Sequence, residues 1–415
     1  MTVVKKLNLP CDRNERLHYI RQLFAAAPGP DLALHSAGGR VHALKKLNSV
    51  DAAAYAKTRN FLNGAVTYLS AYLRHGCLSL QEAAHTVKKN GAAQADKLLF
   101  EFAWRDYWRQ VWYAHGDAIY SDMEAPKVAL GDADLPDDIR DGKTGLPCMD
   151  GFIGDLRNSG YVHNHGRMWL ASYVLHHRKV DWRAAADWFE AQLIDGDIAS
   201  NHLSWQWVAS TFSSKPYFFN QDNLKRYSDE QYCTGCQAQC PFNASYESLN
   251  ERLFSPPLTD MAKQYARPLA APIELAAGST GSARAVLVHD EMLSAAHPLL
   301  AEPLPKIFVF DRQRYAHWSL ARLQFVADCL SEMEEVEVWL GDTAAVLSQR
   351  GIGQVMTQAT PDQQIKQQLA GFAPIWVAEA RLVDIEISPQ RLKRFSRYWE
   401  LVAPLLLSST ANLRY

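Results

Sequence analysis

Three thiols are the first residues whose types and spacing suggest chemistry. Cys233, Cys236 and Cys240 lie in YCTGCQAQCPFNASYESL (232–249), with the pattern C-x2-C-x3-C-P. Thiolates spaced in this way resemble the ligand runs of iron–sulfur proteins, with zinc as the obvious competitor. Three cysteines leave a fourth ligand to be found elsewhere. A second constellation follows Leu193. Asp195, Asp197 and Asn201 fall within seven positions of each other and precede Trp205 and Trp207. Upstream, Asn164 and Arg167 are one helical turn apart and so share a face. Carboxylate, amide and guanidinium groups beside indoles suit a planar heteroaromatic ligand that carries phosphates. The same residues also fit a capped helix end followed by core tryptophans.

The elements that must position these groups are of two textures. From Asn14 to about Lys263 the pattern is helical. Period-3.6 segments cover Arg16 to Phe24, Ala52 to Leu73, Leu80 to Val87, Ala93 to Tyr113, Met149 to Ser159, Gly166 to His177 and Trp182 to Leu193. Ser79 and Asp181 stand where helix N-caps belong. The acidic, Pro- and Gly-punctuated stretch 123–144 reads as a loop. Residues 266–283, small and rich in Pro, Gly and Ser, read as a linker. Beyond it, short apolar runs at 285–292, 306–311, 336–342, 353–358 and 374–380 alternate with helical segments at 318–333 and 362–369. That alternation predicts a doubly wound, Rossmann-like α/β domain over 284–415. No GxGxxG follows its first strand, so no dinucleotide motif supports a site there.

A chain of 415 residues accommodates two or three domains with buried cores. Lys and Arg number 43 against 45 Asp and Glu, for a net charge of −2. Residues 1–265 hold 29 bases and 29 acids, and the remainder holds 14 and 16. Neither part is basic, so any DNA contact must come from a local patch. No apolar run is long enough to span a membrane, and MTVVKKLNLPCDRNE lacks an apolar signal core. Seven irregularly spaced cysteines do not make a disulfide scaffold, which points to a reducing, cytoplasmic setting.

Over about 70 residues the helical part resembles the FAD domain of the DNA photolyase/cryptochrome family. Its motifs appear as TGLPCMD (144–150), GYVHNHGRM (160–168), DWR (181–183) and DGDIASNHLSWQWVAS (195–210), and upstream as GGRVHALKKL, YAKTRNF, LSAYLRHGCLS and EFAWRDYWRQ. The resemblance implies a mainly α-helical FAD-binding domain over 1–265. Asn201 would sit at flavin N5, and Asp195, Asp197 and Arg167 would line the ribityl and isoalloxazine edge. Tyr55, Thr67, Leu69, Ser70, Arg105 and Asn164 would complete the cofactor contacts. Trp205 and then Trp182 would carry electrons to the flavin. No tryptophan occupies the family's third position, so the outer hop uses another residue or is absent.

Glu101, Trp104, Asn164, Met168 and Trp207 match positions that contact a flipped thymine dimer in cyclobutane-dimer photolyases. Physically, two indoles could offer π-faces to an extruded dinucleotide. His165 stands where those enzymes have Arg, and Leu203–Ser204 replaces a Gly-Gly pair. The cysteine segment resembles the bacterial iron–sulfur photolyase branch, and this implies a 4Fe-4S cluster on Cys148, Cys233, Cys236 and Cys240. The C-terminal runs, FSRYWELV (395–402) included, resemble the family's α/β antenna domain. That domain comes first in ordinary members, and the resemblance names no antenna chromophore. The implied activity is light-driven repair of pyrimidine dimers in damaged DNA, a deoxyribodipyrimidine photolyase-like lyase. The alternatives are a cryptochrome-like blue-light photoreceptor and a non-repairing flavin/iron–sulfur redox protein.

Overall fold

Helix starts follow the short polar residues of the sequence. Asp12, Asp51, Asp181, Asp197, Ser245, Ser319 and Asp342 each accept a backbone N–H from the first turn of the helix they precede. Ser79 does the same for Glu82. The computed structural model describes residues 4–30, 36–91, 94–255 and 281–408.

The helix expected over 52–73 is broken into Ala52–Thr58 and Ser70–Arg74. Between them Thr58 Oγ1 accepts the N–H of Ala65, and Gly64 N–H donates to the Phe61 carbonyl. A Cβ on Gly64 would meet the Thr58 carbonyl oxygen at 1.9 Å, so the turn needs glycine. The helix read from Gly166 begins at Asn164 and ends in a wide π-type turn over Tyr173–His177. Between residues 14 and 255 the described residues hold no strand, only an isolated bridge between Ala133 and Val180.

The strands are β1 (Lys5–Leu7), β2 (Ala283–Val288), β3 (Lys306–Asp311), β4 (Val336–Gly341), β5 (Ile352–Gln358) and β6 (Ile375–Val377). Their order in the sheet is β1-β4-β3-β2-β5-β6. All neighbours are parallel except β1 and β4, where Lys6 lies opposite Trp339. The strand order reverses between β2 and β5, the switch point of a doubly wound sheet. Just past β2, buried Asp290 accepts from Arg74 at 2.8 Å and from Arg314 at 2.7 Å, and Arg314 also pairs with Asp362 at 2.9 Å. Burial alone would raise the Asp290 pKa, but Arg314 and Arg74 hold it well below the usual carboxylate range.

The chain forms two compact units that do not follow the linear division read from the sequence. One, α/β, takes 1–49, 68–87 and 268–385; the other, helical, takes 50–67, 88–267 and 386–415. Most of the expected linker, 266–280, lies outside the described residues, and Ala283 already belongs to β2. Two contacts account for the different partition. β1 hydrogen-bonds to β4, which draws the N-terminus into the sheet. The helix Phe395–Leu407, read with the α/β domain, instead packs on the helix Asp96–His115. Its buried residues, Phe395, Tyr398, Val402 and Leu406, fall on one face at helical spacing. Full burial of apolar side chains of this size stabilises by roughly 1.5–3 kcal/mol each.

Candidate functional site

In the helical unit, the motif TGLPCMD is a helix-start device. Asp150 Oδ1 accepts both the N–H and the hydroxyl of Thr144 at 2.7 Å, and Pro147 takes the first helical turn, where its missing N–H costs nothing. This fixes Cys148 in that turn, buried and packed in the same core as Cys233 and Cys240. Burial pushes the Cys148 thiol up to about 12, with Cys240 and Cys233 adding to the shift. Cys233 is raised by burial first and by Cys240 and Cys236 as well. Cys236 is exposed, and none of the four is in a disulfide. Among the described residues no three His, Cys, Asp or Glu side chains group as ligands of a metal ion.

The polar residues of the second constellation come together in pairs. Asp197 caps the helix Ile198–Ala209 and accepts from Arg105 Nη2 at 2.6 Å. Asp195, buried, accepts two bonds from Arg167 Nη2 at 3.0 and 3.1 Å. Arg167 is itself aimed by a bond from its Nε to the Val162 carbonyl. Asn201, one turn into the helix that Asp197 caps, donates from Nδ2 to the Ala186 carbonyl at 2.9 Å. That bond fixes the amide and turns its oxygen, an acceptor, away from Ala186. Two carboxylates, two guanidiniums and an oriented amide are the donor and acceptor set that a flavin with its diphosphate calls for, so these residues fit the group.

The other expected cofactor residues have surroundings of their own. Burial pushes Tyr55 up to about 12, so it keeps its hydroxyl proton near neutral pH. Asn164 is exposed and donates to Met168 Sδ at 3.7 Å rather than pairing with Arg167. Thr67 belongs to the helical unit, whereas Leu69 and Ser70 are in the α/β unit, where Leu69 is buried.

Trp205 and Trp182 are core residues. Trp205 packs edge-on against Phe189 at 5.8 Å. Trp182 donates its indole N–H to Asp122 at 2.8 Å, and the Arg183 guanidinium lies 4.9 Å from its ring. Trp104 and Trp207, by contrast, line one cavity of about 280 Å³ with Trp108, Phe212, Arg394 and Phe395. Glu101 is held by Arg59 at 3.0 Å and Lys97 at 2.8 Å. His163 and His165 are both pushed down to about 4, chiefly by burial, and the His165 ring contacts Trp169 and Tyr227.

Sequence reading assigned no role to Arg59, Lys97, Glu124, Arg394 or Phe395. Lys97 was detectable, four residues before Glu101 on one helix. Arg394 and Phe395 were not, because nothing local ties them to a helix almost 300 residues earlier.

Residues 98–234 match the family model described as the FAD binding domain of DNA photolyase. Over 148 residues the chain is 36% identical to a deoxyribodipyrimidine photo-lyase of Streptomyces griseus, which covers 35% of this chain and 32% of that protein. It is 33% identical over 191 residues to a cryptochrome DASH of Gloeobacter violaceus, covering 42% and 37%. The crystal structure of a Synechocystis cryptochrome aligns with a TM-score of 0.46 at 27% identity, covering 51% of this chain and 47% of that one. The matched segment is thus similar to the FAD binding domain of DNA photolyase. The chain spans about a third of the length of the curated relatives it matches.

Proposed function

We propose that this chain repairs pyrimidine dimers in DNA under light. The observation that carries the reading is the shared cavity of Trp104 and Trp207, two indoles that the sequence places 103 positions apart (207 − 104). Bound and reduced, FAD would supply the light-excited electron that splits a dimer and then takes it back. Arg105, Arg167, Asp195, Asp197 and Asn201 would hold and orient that cofactor, and Asn201 would offer its amide oxygen to a protonated N5. Trp104 and Trp207 would stack against the extruded bases and exclude water, with Glu101, Asn164 and Met168 as further contacts. Trp205 and Trp182 would relay electrons through the core. Cys148, Cys233, Cys236 and Cys240 would ligate an iron–sulfur cluster; the shared core of three of them and the mutual influence of their thiols support that set.

A cryptochrome-like photoreceptor is the second reading, and the likeness to cryptochrome DASH proteins favours it. One assay separates the two. Single- and double-stranded DNA containing dimers is incubated with the reduced protein, illuminated or dark, and intact pyrimidines are counted. Light-dependent restoration is expected; a chain that binds FAD yet restores neither strand overturns the repair reading in favour of a non-repairing flavoprotein, the photoreceptor first among them.

A further inference from the structure

The cavity shared by Trp104 and Trp207 has a wall that no family motif supplies. Arg394 and Phe395 come from the C-terminal segment. Phe395 lies flat on Trp104, with ring centroids 3.7 Å apart and planes within 8°. This segment is a fixed wall rather than a lid. Tyr398 is fully buried and its hydroxyl donates to Asp106 at 2.5 Å, while Tyr107 donates to the Leu392 carbonyl at 2.8 Å. Among the described residues lining the cavity, Arg394 alone is charged. Its guanidinium pairs with Glu124, Nη2 to Oε2 at 2.9 Å, and its side chain is 39% exposed against 26% for Glu124.

We propose that Arg394 binds the phosphate next to an unstacked base held in this cavity, and that Glu124 competes with that phosphate for the guanidinium. Aromatic rings on several sides accept the flat face of a base whatever its identity. A guanidinium carries five donors and matches phosphate oxygens in pairs. The ligand class is therefore single-stranded nucleic acid, one base with its phosphate. The proposal rests on the lesion-pocket reading for the cavity's role, and adds to it the residues that set affinity for the strand.

The test uses the full FAD-loaded protein and a single-stranded thymidine oligonucleotide, either undamaged or ultraviolet-irradiated, with affinity measured across a salt series. Arg394→Gln is expected to weaken binding of both strands about tenfold, the loss of one charge-assisted contact at a partly exposed site. It should also flatten the salt slope by about 0.7, the value for one phosphate on a single strand. Glu124→Gln is expected to tighten binding, because it frees the guanidinium. A merely structural ion pair would make both variants bind alike, and that result overturns the proposal. So does a wild type that binds neither strand at low salt. If Arg394→Gln weakens the undamaged strand but no dimer is preferred or repaired, the base-and-phosphate site stands and the repair reading falls. If dimers are repaired and Arg394→Gln changes nothing, this inference alone falls.

Discussion

Trp104 and Phe395 are stacked face to face, 3.7 Å between centroids, although 290 residues separate them in the chain (395 − 104 = 291, less one). Trp104 therefore has one ring face committed within the protein. Phe395→Ala is expected to cost about 3–5 kcal/mol of stability, as for other buried Phe to Ala changes. Trp207→Ala, at a half-buried indole that meets Tyr217 at a tilt and packs against the helical core, should cost less stability than Phe395→Ala and lower dimer affinity roughly 5- to 150-fold. Urea midpoints and lesion binding on the same preparations check both statements.

Asn201 should control the reduction of the flavin. Its amide is fixed through the bond from Nδ2 to the Ala186 carbonyl, and its oxygen is the acceptor it would offer to a protonated flavin N5. Asn201→Ala removes an acceptor that favours the N5-protonated, reduced form. One neutral hydrogen bond corresponds to a midpoint potential roughly 10–30 mV lower for a two-electron couple. Spectroelectrochemistry reads this directly, and an unchanged or higher potential would contradict the orientation assigned here.

Electron entry is expected to run through the tryptophans of the paired helices. Trp205→Phe should slow photoreduction of oxidised FAD by orders of magnitude, with FAD content unchanged. Trp182→Phe should also slow it, and Asp122→Asn should alter the step at Trp182, because Asp122 accepts that indole's proton-bearing nitrogen at 2.8 Å. Transient absorption after a blue flash is the measurement; wild-type rates in Trp205→Phe would place the route elsewhere.

The cysteine set makes a chemical prediction. In protein stripped of metal, exposed Cys236 should alkylate quickly at pH 8, whereas Cys148, with a pKa near 12, should resist. In protein purified without oxygen, iron and acid-labile sulfide should be present, and all four thiols should be protected together. Stoichiometric zinc without sulfide would replace the cluster assignment with a structural zinc site.

Histidine burial sets an acid limit. His163 and His165 titrate near 4 in the folded protein against about 6.5 when unfolded. Between those values the unfolded chain binds more protons, so stability is full above about 6.5 and falls as pH drops toward 4. Thermal unfolding followed at pH 7, 6 and 5 should show a steady fall in Tm. His165→Phe should shallow that fall, and an identical slope in the variant would remove His165 from the account.

Much of this architecture was legible because its signals are local. Asp181 precedes its helix as a cap, and the runs at 306–311 and 336–342 become β3 and β4 with nearly the expected bounds. The paired residues proposed to hold the flavin lie on segments whose motifs are readable despite His165 and Leu203–Ser204. What was not legible depends on distant partners. Lys5–Leu7 is too short to show alternation and becomes a strand only because β4 offers it an edge. The apolar face of Phe395–Leu407 announces a buried helix but not which surface buries it. The break after Thr58 was signalled by Asn63–Gly64, a turn pair overridden in the reading by the apolar periodicity around it.

The interleaving of the two units has a consequence for how the molecule can be made or divided. The chain passes from one unit to the other at 49/50, 67/68, 87/88, 267/268 and 385/386. No single cut of the gene therefore yields two fragments that each contain one unit whole. On the ribosome, the helix Asp96–His115 emerges long before Phe395 exists to cover Trp104, so the helical unit waits with an aromatic face unpaired until synthesis is nearly past residue 408. Chaperone dependence of expression, and rescue of a fragment ending at residue 385 by a separately supplied 386–415 peptide, are the practical signatures of that order of assembly.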